Sequence, residues 1–406
     1  MKETIWYISK YFAPKTKLSA GGRGWFLLSE LARMGYDCVV ITSDSNNLID
    51  LPEMHSSIKF EEVDGVKLIW LKTLRYSVAK SIKRVLSWFH FEWNILRLNK
   101  NSLPKPDVIV VSSLSLLTVI NGLLLKHRFQ CRLVFEVRDI WPLTLTEEGG
   151  FSRFNPLVIL LSIIEKIGYQ RSDAIIGTMQ NLVEHVHDVL GYGRPVYCIP
   201  MGVSDEQVTN IIPLDEFYKK KYLGSSKIKV VHAGTVGITN ALDVFFEAAV
   251  AMQDDQMVEF VIVGDGALRD YYYRRYGGLD NIVFAPKVAK NQVHSVLSEC
   301  DIVYFSVHKS KVWNYGQSLN KVIDYMLSGK PVIASYTGYP SMINESGCGS
   351  FVPAGDVTAL VHELKYYIAL PVSERERIGQ KGREWLLENR PYKRLARDFS
   401  KVLLGT

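Results

Sequence analysis

Short apolar runs and longer amphipathic stretches alternate along this chain. Continuous apolar runs such as Thr4 to Ser9 and Cys38 to Thr42 predict buried strands, whereas apolar residues three or four positions apart predict helices. Between these two strands, the glycines from Gly21 and Gly22 onward open a helical stretch that ends at Gly35. The pattern predicts a βαβ unit with glycines in its first turn. Such glycines let the backbone approach a phosphate or sugar closely, and a plain tight turn is the alternative.

The same alternation continues to residue 203 and begins again after a polar, lysine-rich stretch at residues 204 to 227, which we interpret as a connection. Apolar strands of this kind are typical of parallel sheets that are covered on both faces. We predict an α/β fold of two doubly wound, Rossmann-like domains that face each other across an interdomain cleft. The predicted domains are residues 1–203 and 204–388, with a C-terminal helix in 389–406 that packs back on the N-terminal domain.

Composition supports this interpretation and excludes several others. The 406 residues exceed one typical core, and 47% hydrophobic with 22% charged residues is ordinary for a soluble globular protein. The sequence shows no secretory signal and no apolar run of ~18 residues, so we expect a cytoplasmic protein. A net charge of +6 is too small to predict nucleic-acid binding. The cysteines fit neither a disulfide framework nor a zinc site, because they are far apart: Cys38, Cys131, Cys198, Cys300 and Cys348.

One loop-to-helix start in the second half combines three features of an anion site. A loop with Gly316 and Ser318 leads into a helix that opens near Asn320, and a buried strand follows. Unpaired backbone N–H groups at such a start favour an anion. Lys321 lies in the first turn and Asp324 follows on the same helical face, so a cation and a carboxylate stand side by side. A phosphate joined to a sugar hydroxyl suits this pair, and an ordinary surface Lys–Asp pair is the alternative.

The segment from residue 72 to 105 is basic and rich in aromatic residues. It carries eight Lys or Arg against the single acid Glu92, and its apolar positions recur at helical spacing from Val78 to Leu96. A basic, aromatic amphipathic helix is typical of a membrane-surface element. A helix packed on the sheet with a solvated basic face is the alternative. The candidate membrane contacts are Lys83, Arg84, Trp88, Phe91 and Trp93.

A second polar group follows the buried strand Leu133 to Val137. Arg138 and Asp139 come directly after this strand. In an open parallel sheet, ligands bind beyond the carboxyl ends of the strands, so these two side chains are candidate functional residues. A structural ion pair at a turn is the alternative.

With both halves laid out, the chain resembles the retaining glycosyltransferases of family 4, which have the GT-B fold. The bacterial surface-polysaccharide branch (O-antigen, capsule and exopolysaccharide) is the most similar. Six segments carry the resemblance in the expected order: Lys10 to Pro14 with the glycine turn, Phe135 to Pro142, Ile199 to Val203, Ala233 to Gly237, Val263 to Gly266, and Tyr315 to Met326.

The resemblance implies roles for particular residues. Asp324 takes the ribose hydroxyls of a nucleotide, Lys321 and the N–H groups near Asn320 take the diphosphate, and the segment that contains Val288 holds the base. The first of two glutamates in the family pattern falls on Gly316, which has no carboxylate, and backbone groups or Ser318 are the alternatives for its contact. The other implied donor-binding residues are Gly21, Gly22, Arg138, Gly234, Thr235, Gly237, Gly264 and Gly266.

The resemblance also implies the reaction. A sugar passes from a nucleotide diphosphate sugar to a hydroxyl of a lipid-linked or oligosaccharide acceptor, with retention at the anomeric carbon. Lys321 stabilises the leaving group, and Asp139 orients the donor sugar or the acceptor hydroxyl. No Asp-x-Asp motif is present, so neither a metal nor another cofactor is expected. The anionic inner face of the cell membrane is an expected partner and nucleic acid is not. A nucleotide-sugar epimerase and a non-catalytic scaffold of the same fold are the alternatives.

Overall fold

A computed structural model describes residues 2–16, 21–46, 52–76 and 81–405 of the chain. Its contacts divide the chain into two compact units: unit 1 is Met1–Pro200 with Tyr392–Thr406, and unit 2 is Met201–Pro391. Part of the predicted loop before the glycine turn (residues 17 to 20) lies outside the described residues, as does Val78 of the basic segment. Within the described ranges, no helix is both long enough and apolar enough to cross a membrane.

Unit 1 is built on a sheet of eight strands in the order β3-β4-β2-β1-β5-β6-β7-β8. All neighbouring strands are parallel except β3, which pairs antiparallel with β4. The central strands are buried on both faces, which explains why most of their residues are apolar. The strands are β1 (Thr4–Ile8), β2 (Asp37–Ser43), β3 (Ile58–Val63), β4 (Val66–Leu71), β5 (Val108–Ser112), β6 (Arg132–Val137), β7 (Ala174–Gly177) and β8 (Val196–Cys198).

Helices cover this sheet on both sides. One layer is formed by α2, α3, α5 and α6, each of which contacts the next. These four helices connect parallel strands, so they run back from the carboxyl ends of the strands to the amino ends. The helices are α1 (Arg23–Arg33), α2 (Ile82–Arg97), α3 (Thr118–Phe129), α4 (Leu143–Glu147), α5 (Pro156–Arg171) and α6 (Leu182–Leu190).

Unit 2 has a parallel sheet of six strands in the order β11-β10-β9-β12-β13-β14. Its strands are β9 (Ile228–Ala233), β10 (Val258–Val263), β11 (Ile282–Ala285), β12 (Ile302–Ser306), β13 (Val332–Ser335) and β14 (Gly349–Val352). Its helices are α7 (Asp205–Thr209), α8 (Glu216–Tyr222), α9 (Asp243–Ala251), α10 (Arg269–Tyr276), α11 (Val293–Ser298), α12 (Asn320–Leu327), α13 (Met342–Ser346), α14 (Val357–Ala369) and α15 (Val372–Asn389).

One segment differs from the plain connection expected of it, and the last helix lies in unit 1. The stretch from 204 to 227 is a folded part of unit 2, because it forms α7 and α8 and places Val208, Tyr218 and Tyr222 against the apolar core of that unit. The last helix, α16 (Tyr392–Leu404), belongs to unit 1, where it packs on α1 and buries Leu395 and Phe399.

The membrane-contact prediction is wrong for Trp88 and Phe91. Both side chains are buried in unit 1, and Trp88 Nε1 donates a hydrogen bond to the hydroxyl of Tyr11 at 2.9 Å. Lys83 and Trp93 are exposed, and Arg84 is half-buried with its guanidinium near the rings of Tyr11 and Trp88. The error arises because α2 has two apolar stripes on different faces. Helical spacing alone does not show which of the two stripes packs against the sheet.

Glu92 is a buried acid between α2 and α3. Its carboxylate accepts hydrogen bonds from Thr118 Oγ1 at 2.6 Å and from Asn121 Nδ2 at 2.7 Å, with Ser115 Oγ at 3.3 Å. Burial nevertheless raises the pKa of Glu92 from 4.5 to about 7. The folded state therefore holds this proton more tightly than the unfolded state does.

The raised pKa predicts that unit 1 loses stability as the pH rises from about 4.5 to 7. The expected loss of unfolding free energy is about 3 kcal/mol, because a difference of one unit between the folded and unfolded pKa corresponds to ~1.4 kcal/mol. Glu92→Gln removes the ionisable group, so the unfolding free energy of this variant should change less over that range. Urea unfolding at pH 5 and pH 7.5, followed by tryptophan fluorescence, measures the difference. Equal pH dependence in the two proteins would contradict the prediction.

Candidate functional site

Unit 2 contains a cavity of about 710 Å³ at the carboxyl ends of its strands. It lies where ligands bind in open parallel sheets, beyond β9, β10 and β11 and beside the start of α12. We call it the unit 2 cavity. Its lining residues are Ala233, Gly234, Thr235, Val263, Gly264, Asp265, Gly266, Lys287, Val288, Lys290, Val293, Val296, Leu319, Asn320, Lys321 and Asp324.

Two glycine loops form one wall of the unit 2 cavity. The loops after β9 and β10 are joined by backbone hydrogen bonds from Gly234 N to Val263 O and from Val236 N to Asp265 O, each 2.9 Å long. A Cβ atom on Gly264 would lie 1.9 Å from the carbonyl oxygen of Gly234, and one on Gly266 would lie 2.4 Å from that of Val236. Both glycines also have positive φ angles, of 153° and 154°. Only glycine therefore permits this close backbone wall.

The first turn of α12 forms a second side of the cavity. Leu319 precedes the helix without a side-chain cap, and Leu319, Asn320 and Lys321 all line the cavity. The first N–H groups of a helix have no partner within the helix, and the helix dipole places partial positive charge there. This end of the cavity therefore favours an anion.

Lys321 adds a full charge to this end. Its Nζ donates a hydrogen bond to Oδ1 of Asn240, which belongs to the short turn after β9. Burial lowers the pKa of Lys321 to about 8. Complete burial, together with the charge of Lys321, lowers the pKa of neighbouring His232 to about 3, so this imidazole is neutral. Lys321 is thus a poorly solvated cation that an anionic ligand would stabilise.

Asp324 lies on the next part of the same helix but does not pair with Lys321. Its Oδ2 instead forms an ion pair with Nζ of Lys290, which follows β11 and also lines the cavity. The Lys290 side chain is half exposed, whereas that of Asp324 is largely buried. The alternative of an ordinary Lys321–Asp324 pair is therefore wrong. The carboxylate remains at the cavity wall, held by a lysine that solvent reaches.

Three of the predicted donor-binding residues that belong to unit 2 do not line its cavity. Gly316 is buried with a φ of 109°, and Ser318 follows it in the loop before α12. Gly237 precedes the turn that carries Asn240. Beside these residues, both polar atoms of the Gln317 amide are buried without a hydrogen-bond partner.

The predicted residues of unit 1 lie at the carboxyl edge of its own sheet. The backbone N–H groups of Arg138 and Asp139 both donate to Oγ of Ser113, at 2.9 and 3.3 Å, and Thr178 Oγ1 donates to the carbonyl of Arg138 at 3.3 Å. Ser113 and Thr178 follow β5 and β7, so the strands on either side hold this loop. Within the described range 81–405, Arg138 and Asp139 do not form a salt bridge with each other.

The glycine turn of unit 1 is also at this edge. Gly22 precedes α1, and its N–H donates to the carbonyl of Ala13 at 2.9 Å. Gly21 has a φ of 81°, and a Cβ atom there would lie 2.8 Å from the Trp25 ring. The turn thus requires glycine for packing in its own right.

Family comparison decides the class of the chain. Residues 25–207 match the model described as Glycosyltransferase Family 4, and residues 227–369 match the model described as Glycosyl transferases group 1. The chain is a glycosyltransferase. The two matched regions fall on the two α/β units. A search of curated proteins found no significant match to the glycosyltransferase.

Solved structures give the fold of the glycosyltransferase as GT-B, as predicted. A sucrose-phosphate synthase from Thermosynechococcus elongatus aligns over 100% of this chain and 99% of its own, with a TM-score of 0.73 and 16% identity. HepE from Anabaena, in complex with UDP and glucose, aligns over 100% of both chains with a TM-score of 0.65 and 13% identity. A trehalose-phosphate synthase from Burkholderia xenovorans aligns over 100% of this chain and 99% of its own, with a TM-score of 0.69 and 12% identity.

Two polar residues at the glycosyltransferase cavity were not found from sequence. Lys290 lines the cavity, and Asn240 lies beside it as the hydrogen-bond partner of Lys321; both are in short turns without a motif of their own. A partial signal existed for Lys290, since it follows the strand that leads to Val288 and residues beyond strand ends line such sites. Among the described residues, no group of three or more His, Cys, Asp or Glu is placed to hold a metal ion.

Proposed function

We propose that this glycosyltransferase binds a nucleoside diphosphate sugar in the unit 2 cavity and transfers the sugar with retention of configuration. The observation that carries the proposal is the juxtaposition of an uncapped helix start and the desolvated Lys321 at one end of the cavity, with Asp324 one turn further along α12. The first pair suits a diphosphate and the carboxylate suits ribose hydroxyls. The apolar side chains of Val288, Val293 and Val296 offer contact for a base.

The chemical step moves one sugar and one proton. The bond between the anomeric carbon and the diphosphate oxygen breaks, and a bond forms from the acceptor hydroxyl oxygen to the same face of that carbon. The hydroxyl proton passes to the departing diphosphate. Negative charge grows on the diphosphate as its bond breaks, so the ammonium of Lys321 and the first N–H groups of α12 stabilise the transition state more than the ground state.

The acceptor that best fits the proposal is a lipid-linked or saccharide hydroxyl in bacterial surface-polysaccharide synthesis at the inner face of the membrane. The resemblance to that branch of family 4 supports it, together with the basic character of α2. The roles of Asp139, Arg138, Gly21 and Gly22 toward donor sugar or acceptor stay predictions.

A two-step experiment tests the proposed function. A panel of nucleoside diphosphate sugars is screened for a rise in melting temperature, because a ligand that binds only the folded state stabilises it. Each donor that binds is then supplied in radiolabelled form with a lipid extract of bacterial membranes. We expect at least one donor to raise the melting temperature and its label to enter the organic phase.

Two results would count against the proposal. If no nucleoside diphosphate sugar raised the melting temperature, the unit 2 cavity would not be a donor site. If a bound donor instead changed the configuration of its sugar without any acceptor, as seen by nuclear magnetic resonance, the epimerase alternative would replace sugar transfer.

A further inference from the structure

The helix layer of unit 1 exposes an unusual number of apolar side chains. On α2, Ile82, Leu86, Phe89, Trp93 and Leu96 recur at intervals of three and four residues, so they form one stripe along the helix. All five are exposed, and Trp93 is 56% exposed. This stripe lies on a different face from the buried Trp88 and Phe91. The helix therefore presents one apolar face to the sheet and a second to solvent.

The two neighbouring helices continue this surface. On α3, Ile120 and Leu124 are exposed one turn apart. On α5, Ile159, Leu160 and Ile163 form an exposed stripe. Because α2 contacts α3 and α3 contacts α5, the exposed stripes lie side by side on the outer surface of one helix layer. We call these exposed apolar residues of α2, α3 and α5 the three-helix face.

The three-helix face is larger than the scattered apolar residues of an ordinary surface. Helices α2 and α5 have 16 residues each, so each is ~24 Å long. Neighbouring helix axes are ~10 Å apart, so the outer axes are separated by ~20 Å. The face therefore covers several hundred Å², a size at which an exposed apolar patch marks an interaction site.

The charges of these three helices have one sign at the surface. Their two acids, Glu92 and Glu165, are both buried. The charged residues that remain on the three helices are basic: Lys83, Arg84, Arg97, Lys126, Arg128, Lys166 and Arg171. Of these, Lys126 is paired with Asp173. The next helix of the layer, α6, ends the pattern, because it exposes the acids Glu184 and Asp188.

We propose that the three-helix face binds the surface of an anionic lipid bilayer. A broad apolar surface with aromatic side chains and a basic surround matches lipid tails below anionic headgroups. A second copy of the chain is a poorer occupant, because a symmetric contact would place the same basic residues opposite each other. The proposal rests on the proposed function for its purpose, since a lipid-linked acceptor would meet the enzyme at that surface.

The position of the face fits this purpose. On helices α3 and α5 the exposed apolar residues come before the basic residues along the chain. Since these helices start at the carboxyl edge of the sheet, the apolar part of the face lies near the edge that carries Arg138 and Asp139. A lipid anchored in the bilayer would therefore present its headgroup beside that edge.

Vesicle binding by the full chain tests the proposal. Sedimentation with vesicles of phosphatidylglycerol and phosphatidylcholine is compared with vesicles of phosphatidylcholine alone, and we expect stronger binding to the anionic vesicles. The α2 variant Phe89→Ser/Trp93→Ser and the α5 variant Ile159→Ser/Ile163→Ser are each expected to bind about tenfold more weakly or worse. The control Phe217→Ser/Tyr273→Ser removes two exposed aromatic rings from unit 2, and it should bind like the wild type.

The outcomes separate the possible occupants. Loss of binding in the α2 variant alone would reduce the face to one helix and overturn the three-helix assignment. Absence of binding to anionic vesicles would overturn the bilayer as occupant, and a dimer in sedimentation equilibrium that the same variants dissociate would replace it with a second copy. Donor-induced stabilisation reports the unit 2 cavity and should be equal in all variants, so failure of the proposed function is distinguishable from failure of this proposal.

Discussion

Replacement of Lys321 with methionine is expected to slow sugar transfer about 100- to 1000-fold, because it removes one positive group from the transition state of diphosphate departure. Methionine has a similar length and fills the same space without charge. Steady-state transfer measures the loss, with a donor found by the melting-temperature screen and the lipid extract as acceptor. The first turn of α12 keeps its N–H groups in the variant, so a residual rate above the uncatalysed reaction should remain.

The same substitution should not harm the fold. Burial lowers the pKa of Lys321 to about 8, so keeping this side chain charged at neutral pH costs the folded protein stability. An apolar replacement removes that cost, and the melting temperature should stay the same or rise. The combination of a lost rate and an unharmed fold is expected of a catalytic group, and a structural lysine would give the reverse.

The pKa of Lys321 adds a second measurement. Above pH 8 the free enzyme loses this proton, whereas a bound diphosphate favours the ammonium form. The donor KM of the wild type should therefore rise as the pH increases above 8, and that of Lys321→Met should not follow it. Lys365→Ala, at an exposed position on α14, is the matched control and should transfer at the wild-type rate. A Lys321→Met enzyme with wild-type activity would exclude Lys321 from the reaction.

The fold class could be predicted from the sequence because the buried parallel strands are short, mostly apolar runs that are easily recognised. In β5 only the last residue, Ser112, is polar, and in β10 only Glu259 is; both strands are buried throughout, so they have no solvent-facing side that would demand polar residues. The hairpin of β3 and β4 is absent from the predicted strands. In β3, isoleucine, phenylalanine and valine alternate with Lys59, Glu61 and Glu62 only imperfectly, since the strand lies at the sheet edge and Phe60 is exposed.

The candidate site could be predicted only in part, because some of its contacts join residues that are far apart in the chain. Lys321 and Asp324 were identified because they occur together at a helix start with a recognisable sequence. Their actual partners, Asn240 and Lys290, come from loops 81 and 34 residues away in the chain. Such contacts depend on how the strands are ordered in the sheet, and local spacing carries no information about that order.

The pair of Arg23 and Glu136 is expected to stabilise unit 1 strongly, although no sequence motif marks it. Arg23 starts α1 and Glu136 lies in β6, and both side chains are fully buried. Arg23 Nη1 is 2.5 Å from Glu136 Oε1, and the Tyr7 hydroxyl donates to the other carboxylate oxygen. Arg23 Nη2 also donates to the carbonyl of Ile199 at 2.6 Å. Arg23 therefore also holds Ile199, near the end of the segment Met1–Pro200 of unit 1, beside the start of α1.

Arg23→Met should lower the unfolding free energy of unit 1 by about 3–5 kcal/mol, because it leaves the Glu136 carboxylate buried without its cation. Six of the eight tryptophans belong to unit 1, so fluorescence during urea unfolding reports mainly this unit. The double variant Arg23→Met/Glu136→Leu removes both charges and should recover much of the loss. Equal stability of wild type and Arg23→Met would show that the pair contributes little.

The pH dependence of the wild type gives an independent check on this pair. Burial alone would favour the neutral acid, but the charges of Arg23 and Arg138 hold the pKa of Glu136 below its ordinary value. This contribution is present above the unfolded pKa of about 4.3 and is lost as the pH falls through the lower folded pKa. In Arg23→Met the carboxylate loses its main cation, so the variant should instead gain stability relative to the wild type as the pH falls and Glu136 becomes protonated. A constant difference between the two proteins from pH 7 down to pH 4 would contradict this electrostatic origin.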